Sequence, residues 1–189
     1  MSRSPTSSFP VLPLYGSGAA PIAQIVAVIV GTGVLAASSW IQVPMIPVPI
    51  TMQTLAITMI GAFYGWRLAL ATVVAWFAEA AFGLPVLAGG AAGIAHFVGP
   101  TGGYLLGFAI AAGVVGLAAE QGLLRRSLAM SLGVMLAANA LIIAIGCVWL
   151  ARFVGWEASI TAGATPFIVG GIVKAALATG IYEAVGKRA

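Results

Sequence analysis

Long apolar runs, separated by short clusters of glycine, proline and charge, set the pattern of this chain. Six segments stand out: about Pro21 to Ile41, Thr51 to Tyr64, Arg67 to Leu84, Thr101 to Glu120, Ser127 to Leu150 and Thr165 to Tyr182. Their apolar positions are continuous rather than alternating, which predicts helices and argues against a β-barrel. A helix that crosses a bilayer needs ~20 mostly apolar residues. The second segment is short for a full span; the others come close to that length or reach it. Between the first two lies VPMIPVPI, with Pro44, Pro47 and Pro49. Proline lacks the N–H a helix interior needs, so this stretch is predicted to be an extended loop. A glycine-rich linker from Pro85 to Pro100 joins the third segment to the fourth. The chain has no evident internal repeat, so inverted-repeat transporter plans gain no support.

Composition sharpens this picture. The chain has 189 residues, 61% hydrophobic and only 6% charged. Soluble domains carry about 25% charged residues, so an ordinary soluble globule is excluded. The expected fold is an all-α membrane protein of six transmembrane helices in a single domain over 21–189. Residues 1–20 are rich in Ser, Pro and Gly and are expected to form a disordered tail; they lack the apolar core of a signal peptide. The net charge of +4 rests on eight basic residues and four acidic ones. Their positions follow topology rather than a nucleic-acid-binding face. With the N-terminus in the cytoplasm, Arg3, Arg67, Arg125, Arg126, Lys187 and Arg188 lie inside and only Arg152 lies outside, the expected bias of cytoplasmic loops. An even number of spans returns the C-terminus to the cytoplasm. Both unusual loops, 42–50 and 85–100, then lie on the outer side and together make a cap.

The polar residues inside the apolar segments are the candidates for chemistry. Lys174 is the lone charge in TPFIVGGIVKAALATGIY. A cation deep in a membrane is costly and needs a partner, which marks a functional site. It sits about nine residues into its segment, or roughly 13 Å deep from the outside. Glu79 sits about twelve residues into the third segment, roughly 18 Å up from the inside. These depths nearly coincide across a core ~30 Å thick. Two readings follow: a structural Lys174–Glu79 ion pair, or a Lys174 that neutralises an anionic solute with Glu79 orienting it or accepting hydrogen bonds. Asn139 is mid-span in the fifth segment, and its buried amide must find partners, on another helix or on a ligand. His96 is a lone loop histidine with no second metal ligand nearby, and Cys147 is the single cysteine, so no metal site and no disulfide are expected. Ala23, Ala27 and Gly31 form a stripe of small residues on the first segment, suited either to packing within the bundle or to docking a partner subunit. Gly103 and Gly107 form a second close-packing pair. No HExxH, GxSxG or Walker motif is present, so neither a protease site nor an ATPase is encoded.

Three motifs carry a family resemblance: VPITMQTLAI at 48–57, GLPVLAGG at 83–90 and GPTGGYLLGF at 99–108. In this order and spacing they resemble the BioY family of biotin transporters, the substrate-binding S components of energy-coupling factor (ECF) transporters. The resemblance extends over nearly the whole chain after the tail. It implies six helices in a bacterial cytoplasmic membrane and a biotin site near the outer face. It implies a lid formed by the loop between the first two helices. It also implies that the stripe at Ala23, Ala27 and Gly31 meets a transmembrane coupling subunit linked to two ATPases. No catalysis and no cofactor are implied, biotin being the transported ligand. Lys174 corresponds to a ligand-contacting lysine of the family's last helix, and Gln53, Gly90 and Tyr104 fall in motifs that line the family's site. One departure stands out. Many members carry an acidic residue three positions before that lysine, where this chain has Gly171. Either Glu79 or a backbone carbonyl replaces that acceptor, or affinity is altered. The alternatives are an S component for another vitamin and a purely structural membrane subunit.

Overall fold

A computed structural model describes residues 21–186. The expected tail over 1–20, with Arg3, and the terminal Lys187 and Arg188 lie outside the described residues. The first helix, α1, runs Pro21–Trp40. A short antiparallel ribbon follows, β1 (Gln42–Val43) paired with β2 (Ile50–Thr51), with Gln42 opposite Thr51. The proline-rich loop is therefore a hairpin closed at its base by strand pairing, which explains why no helix crosses it. The chain continues as α2 (Gln53–Ala81), a 3₁₀ turn (Ala88–Gly90), α3 (Ala95–Val98), α4 (Gly102–Glu120), α5 (Leu123–Arg126), α6 (Leu128–Val154), α7 (Trp156–Gly163) and α8 (Thr165–Gly186). Among the described residues, five helical stretches are long and apolar enough to cross a membrane: α1, α2, α4, α6 and the run Trp156–Val185. The separate helix α7 is absent from the six-segment reading, because its Glu157, Ser159 and Thr161 dilute the apolar pattern.

Helix α2 is two legs, not one rod. Gly65 has φ 72° and ψ 172°, a region that side chains other than glycine avoid. A Cβ built on Gly31 would lie 2.6 Å from Thr72 and 3.1 Å from Tyr64. A straight helix would separate those two residues by about 12 Å along its axis, so the legs fold back on each other at Gly65. The break frees the N–H of Trp66, which donates to Glu120 Oε1 at 3.1 Å. Glu120 thus caps the second leg from the end of α4.

Helix α4 is the central element, packed against α2 and α6. Its small residues make this possible on two faces. Gly103 lies against Trp149, and Gly107 would place a Cβ 3.0 Å from the backbone of Ile142, both on α6. Gly113 faces Leu70, and Gly116 faces the Gly65–Trp66 backbone, both on α2. Trp76, Leu35, Ile57 and Leu124 are fully buried in the resulting core. The outside is apolar too: Ile22, Ile25, Val26 and Ile29 on α1 and Val169 and Val173 on α8 are exposed, as expected of surfaces that face lipid.

The stripe on α1 departs from the docking expectation. Ala27 and Gly31 are buried. Tyr64 O–H donates to Ala27 O at 2.9 Å, and Gly31 receives Thr72 and Tyr64. Only Ala23 is exposed. Small residues let α2 approach closely, and that use occupies the surface a partner would need.

Candidate functional site

One cavity of about 430 Å³ opens between the Pro-rich hairpin, the segment 87–101 and the adjoining parts of α2, α4, α6 and α8. The hairpin contributes Pro47, Val48, Pro49 and Thr51. Leu87, Leu105, Phe108, Ile142 and Phe167 give apolar walls. Gln53, Thr54, Tyr104, Asn139 and Lys174 supply polarity, and Gly171 completes the lining beside them. No carboxylate is among the lining residues. A mainly apolar pocket with a few placed polar groups is the usual form of a small-molecule site.

The segment 85–87 is held in place, and its Leu87 joins the cavity wall. Three successive carbonyls accept from three side chains: Pro85 O from Trp40 Nε1 at 3.3 Å, Val86 O from Trp76 Nε1 at 3.0 Å, and Leu87 O from the Ser39 hydroxyl at 3.0 Å. These bonds also put this loop at the same end of the bundle as the hairpin. Gly90 has φ 79° and takes the Trp40 ring so closely that a Cβ would stand 2.7 Å from it. Gly90 itself does not line the cavity; its neighbours Ala88 and Ala91 do.

Lys174 is 7% exposed and its Nζ donates to Thr51 O at 3.0 Å. The expected Lys174–Glu79 pair is not what forms. Glu79 is half-buried near the end of α2, two residues before Ala81, and lines no part of the cavity. Matching depths did not make the two neighbours. The first leg of α2 is the one that reaches α8, through Phe63 and Tyr182 at 5.6 Å between ring centres. Glu79 rides on the second leg.

Gln53 is 4% exposed. The Thr51 hydroxyl accepts from Gln53 N–H at 3.3 Å and donates to Gln53 Oε1 at 2.9 Å. That arrangement leaves Nε2 buried with no partner. Thr54 Oγ1 is buried without a partner as well. Asn139, 4% exposed, gives one Nδ2 proton to Met135 O at 2.9 Å, and a Cβ on Gly171 would lie 3.7 Å from Asn139 Oδ1. Tyr104 donates to Gly163 O at 2.7 Å and its ring stacks on Phe167 at 5.8 Å. Its hydroxyl is therefore committed, and it presents ring surface.

The fold thus gathers Gln53, Tyr104, Asn139 and Lys174 in one cavity and leaves Glu79 and Gly90 outside its lining. The three sequence motifs converge there: 48–57 through Val48, Thr51 and Gln53, 83–90 through Leu87 and Ala88, and 99–108 through Tyr104, Leu105 and Phe108. A BioY family model matches residues 10–189. The chain belongs to the BioY family. A probable biotin transporter BioY of Pyrococcus horikoshii is 40% identical over 143 residues, covering 76% of this chain and 83% of the relative. The biotin transporter BioY of Rhodobacter capsulatus is 43% identical over 152 residues, covering 70% and 77%. The crystal structure of the S-component for biotin from an ECF-type ABC transporter resembles this BioY chain with a TM-score of 0.77 at 26% identity, covering 88% of this chain and 92% of the other. This BioY protein is accordingly a multi-pass membrane protein. Thr51, Thr54, His96 and Phe167 also line its cavity and were missed as site residues. The threonines sat inside a motif without standing out from it. His96 reads as a solvated loop residue until the fold turns it toward the cavity.

Proposed function

We propose that this chain captures biotin at the outer face of a bacterial cytoplasmic membrane and carries it inward as the S component of an ECF transporter. Family membership and the relatives' names support the substrate. The observation that carries the reading is a buried ammonium in an apolar cavity that offers it no carboxylate. Biotin supplies one: it has a carboxylate, a polar ureido ring and an apolar thiophane ring with an aliphatic tail. The cavity's size falls within the roughly 300–1,000 Å³ of small-molecule pockets.

In this reading Lys174 and Gln53 take the carboxylate, and Tyr104, Phe108 and Phe167 pack on the rings and tail. Asn139, whose Oδ1 faces the space over Gly171, accepts from the ureido N–H groups in place of the acid that many relatives carry there. Gly90 acts indirectly by seating Trp40, and Glu79 has no direct part. Residues 21–189 form one substrate-binding domain with six crossings, α2 making two of them around Gly65, and both termini are cytoplasmic. The protein performs no catalysis and uses no cofactor. A transmembrane coupling subunit with two ATPases supplies the energy, meeting the exposed apolar face of α1 around Ala23.

The test is equilibrium dialysis of detergent-purified protein against labelled biotin, with a panel of other vitamins as competitors. Saturable binding displaced only by biotin is expected. Displacement by a different vitamin would reassign the substrate, and no binding of any vitamin would favour a structural subunit.

A further inference from the structure

Thr51 touches both donors of the cavity's polar corner. Its backbone carbonyl accepts from Lys174 Nζ at 3.0 Å. Its hydroxyl accepts from the Gln53 backbone N–H at 3.3 Å, so its own proton goes to Gln53 Oε1 at 2.9 Å. With the Gln53 amide oxygen toward Thr51, the hydroxyl both accepts and donates. The flipped amide would place a further donor there and leave the hydroxyl proton without this acceptor. The amide group that remains, Nε2, is buried and unpartnered. A buried donor without an acceptor is unfavourable, so the arrangement is at a loss until an acceptor arrives. Beside it, an ammonium has three protons and gives one to Thr51. The corner is therefore rich in donors and carries a positive charge. Thr51 is itself held in place by the ribbon at the base of the Pro-rich hairpin, paired with Gln42, while Met52 N–H donates to Ile41 O at 3.0 Å.

We propose that Thr51 is a positioning residue for anion recognition: its hydroxyl orients the Gln53 amide, and its carbonyl steers Lys174, so that both donate to the carboxylate of the ligand. This rests on the biotin reading above. A carboxylate accepts at two oxygens and donates nothing, which matches a corner of two donors. Thr51 does not touch the ligand in this scheme. It makes the site selective for a charged tail over a neutral one of the same length.

The experiment compares biotin with biotinol, its neutral alcohol, on wild-type protein and on Thr51→Val and Thr51→Ser. Valine keeps the shape, the strand pairing and the carbonyl that holds Lys174, and removes only the hydroxyl. Wild type is expected to prefer biotin strongly. Thr51→Val is expected to weaken biotin roughly tenfold, the scale of a hydrogen bond to a charged group, and to leave biotinol within about twofold. Thr51→Ser is expected to restore the preference. Unliganded melting temperatures check that each variant folds. If Thr51→Val lowers affinity for both compounds alike, or for neither, the positioning role is overturned. If wild type binds neither compound, the biotin reading itself falls. If wild type binds both equally, the biotin reading stands and the carboxylate corner alone is overturned.

Discussion

In the proposed site, recognition turns on Lys174, a cation that is 7% exposed in an apolar helix. Its hydrogen bond to Thr51 O satisfies one proton but does not neutralise the charge. Lys174→Ala should therefore weaken biotin by roughly 30-fold or more, since truncating one partner of a buried hydrogen-bonded charge pair costs about 2–5 kcal/mol. Titration calorimetry on detergent-solubilised protein reads this directly, and an unchanged Kd would reduce the lysine to a tie between α8 and the hairpin. Asn139→Leu should weaken biotin by roughly fivefold to tenfold through loss of one accepted hydrogen bond. Glu79→Gln, by contrast, should leave Kd within about twofold, because a group outside the cavity has no ligand bond to lose. A large effect there would show that the carboxylate reaches the ligand after all. The contrast marks what a sequence reveals about single residues. Lys174 and Asn139 are visible because polarity in an apolar run has few explanations. Glu79 is equally visible, yet depth along a helix says nothing about which way that helix turns its face. Thr51 and Thr54 were obscure for the opposite reason: threonine is common at helix starts, and only the hydrogen bonds around Gln53 set these two apart.

Helix boundaries were largely legible, because proline, glycine and charge punctuate the apolar runs. α1, α4 and the start of α8 lie within a residue or so of the expected positions. The division of α2 at Gly65 matches the gap left between Tyr64 and Arg67. Less accessible was how that turn is held. Gly116 removes the side chain that would collide with the Gly65–Trp66 backbone, and Glu120 then caps Trp66 N–H. Gly65→Ala should cost about 1–3 kcal/mol, since its φ and ψ lie where only glycine is comfortable. Thermal unfolding in detergent measures it, with Gly33→Ala as the control, because a Cβ there meets nothing within 4 Å. Equal melting temperatures for the two variants would mean that the turn relaxes without strain. The second small-residue pair, Gly103 and Gly107, needed no such help to be read. Four-residue spacing is itself a statement about one helix face, and that face meets α6. The stripe on α1 carried the same signal and two possible uses, and only the position of Tyr64 and Thr72 decided between them.

The number of crossings is a property of the whole molecule, and it decides where every loop lies. If α2 crossed once, the hairpin and the segment 85–100 would lie on opposite sides of the membrane. Ser39 and Trp40, at the end of α1, hydrogen-bond Leu87 O and Pro85 O, and Gly89 lies against Gln42. Both loops therefore belong to one end of the bundle, in keeping with the reversal of α2 at Gly65. Ile46 and Ile94, 95% and 66% exposed, mark the two loops, while Arg126 marks the turn between α4 and α6 at the other end. In intact cells, an impermeant maleimide should label Ile46→Cys and Ile94→Cys from outside and leave Arg126→Cys unlabelled until the membrane is opened. The native Cys147 is buried and contributes little background. Labelling of Ile46→Cys without Ile94→Cys would require a single crossing by α2 and break the six-span reading. Labelling of Arg126→Cys alone would invert the molecule and turn the cavity toward the cytoplasm. The bias of basic residues argues against that inversion, because Arg67, Arg125 and Arg126 share one end while Arg152, stacked on Trp149 at 5.0 Å, stands at the other. The proposed uptake requires a cavity that opens outward beneath the proline-rich hairpin, with Lys174 among its lining residues.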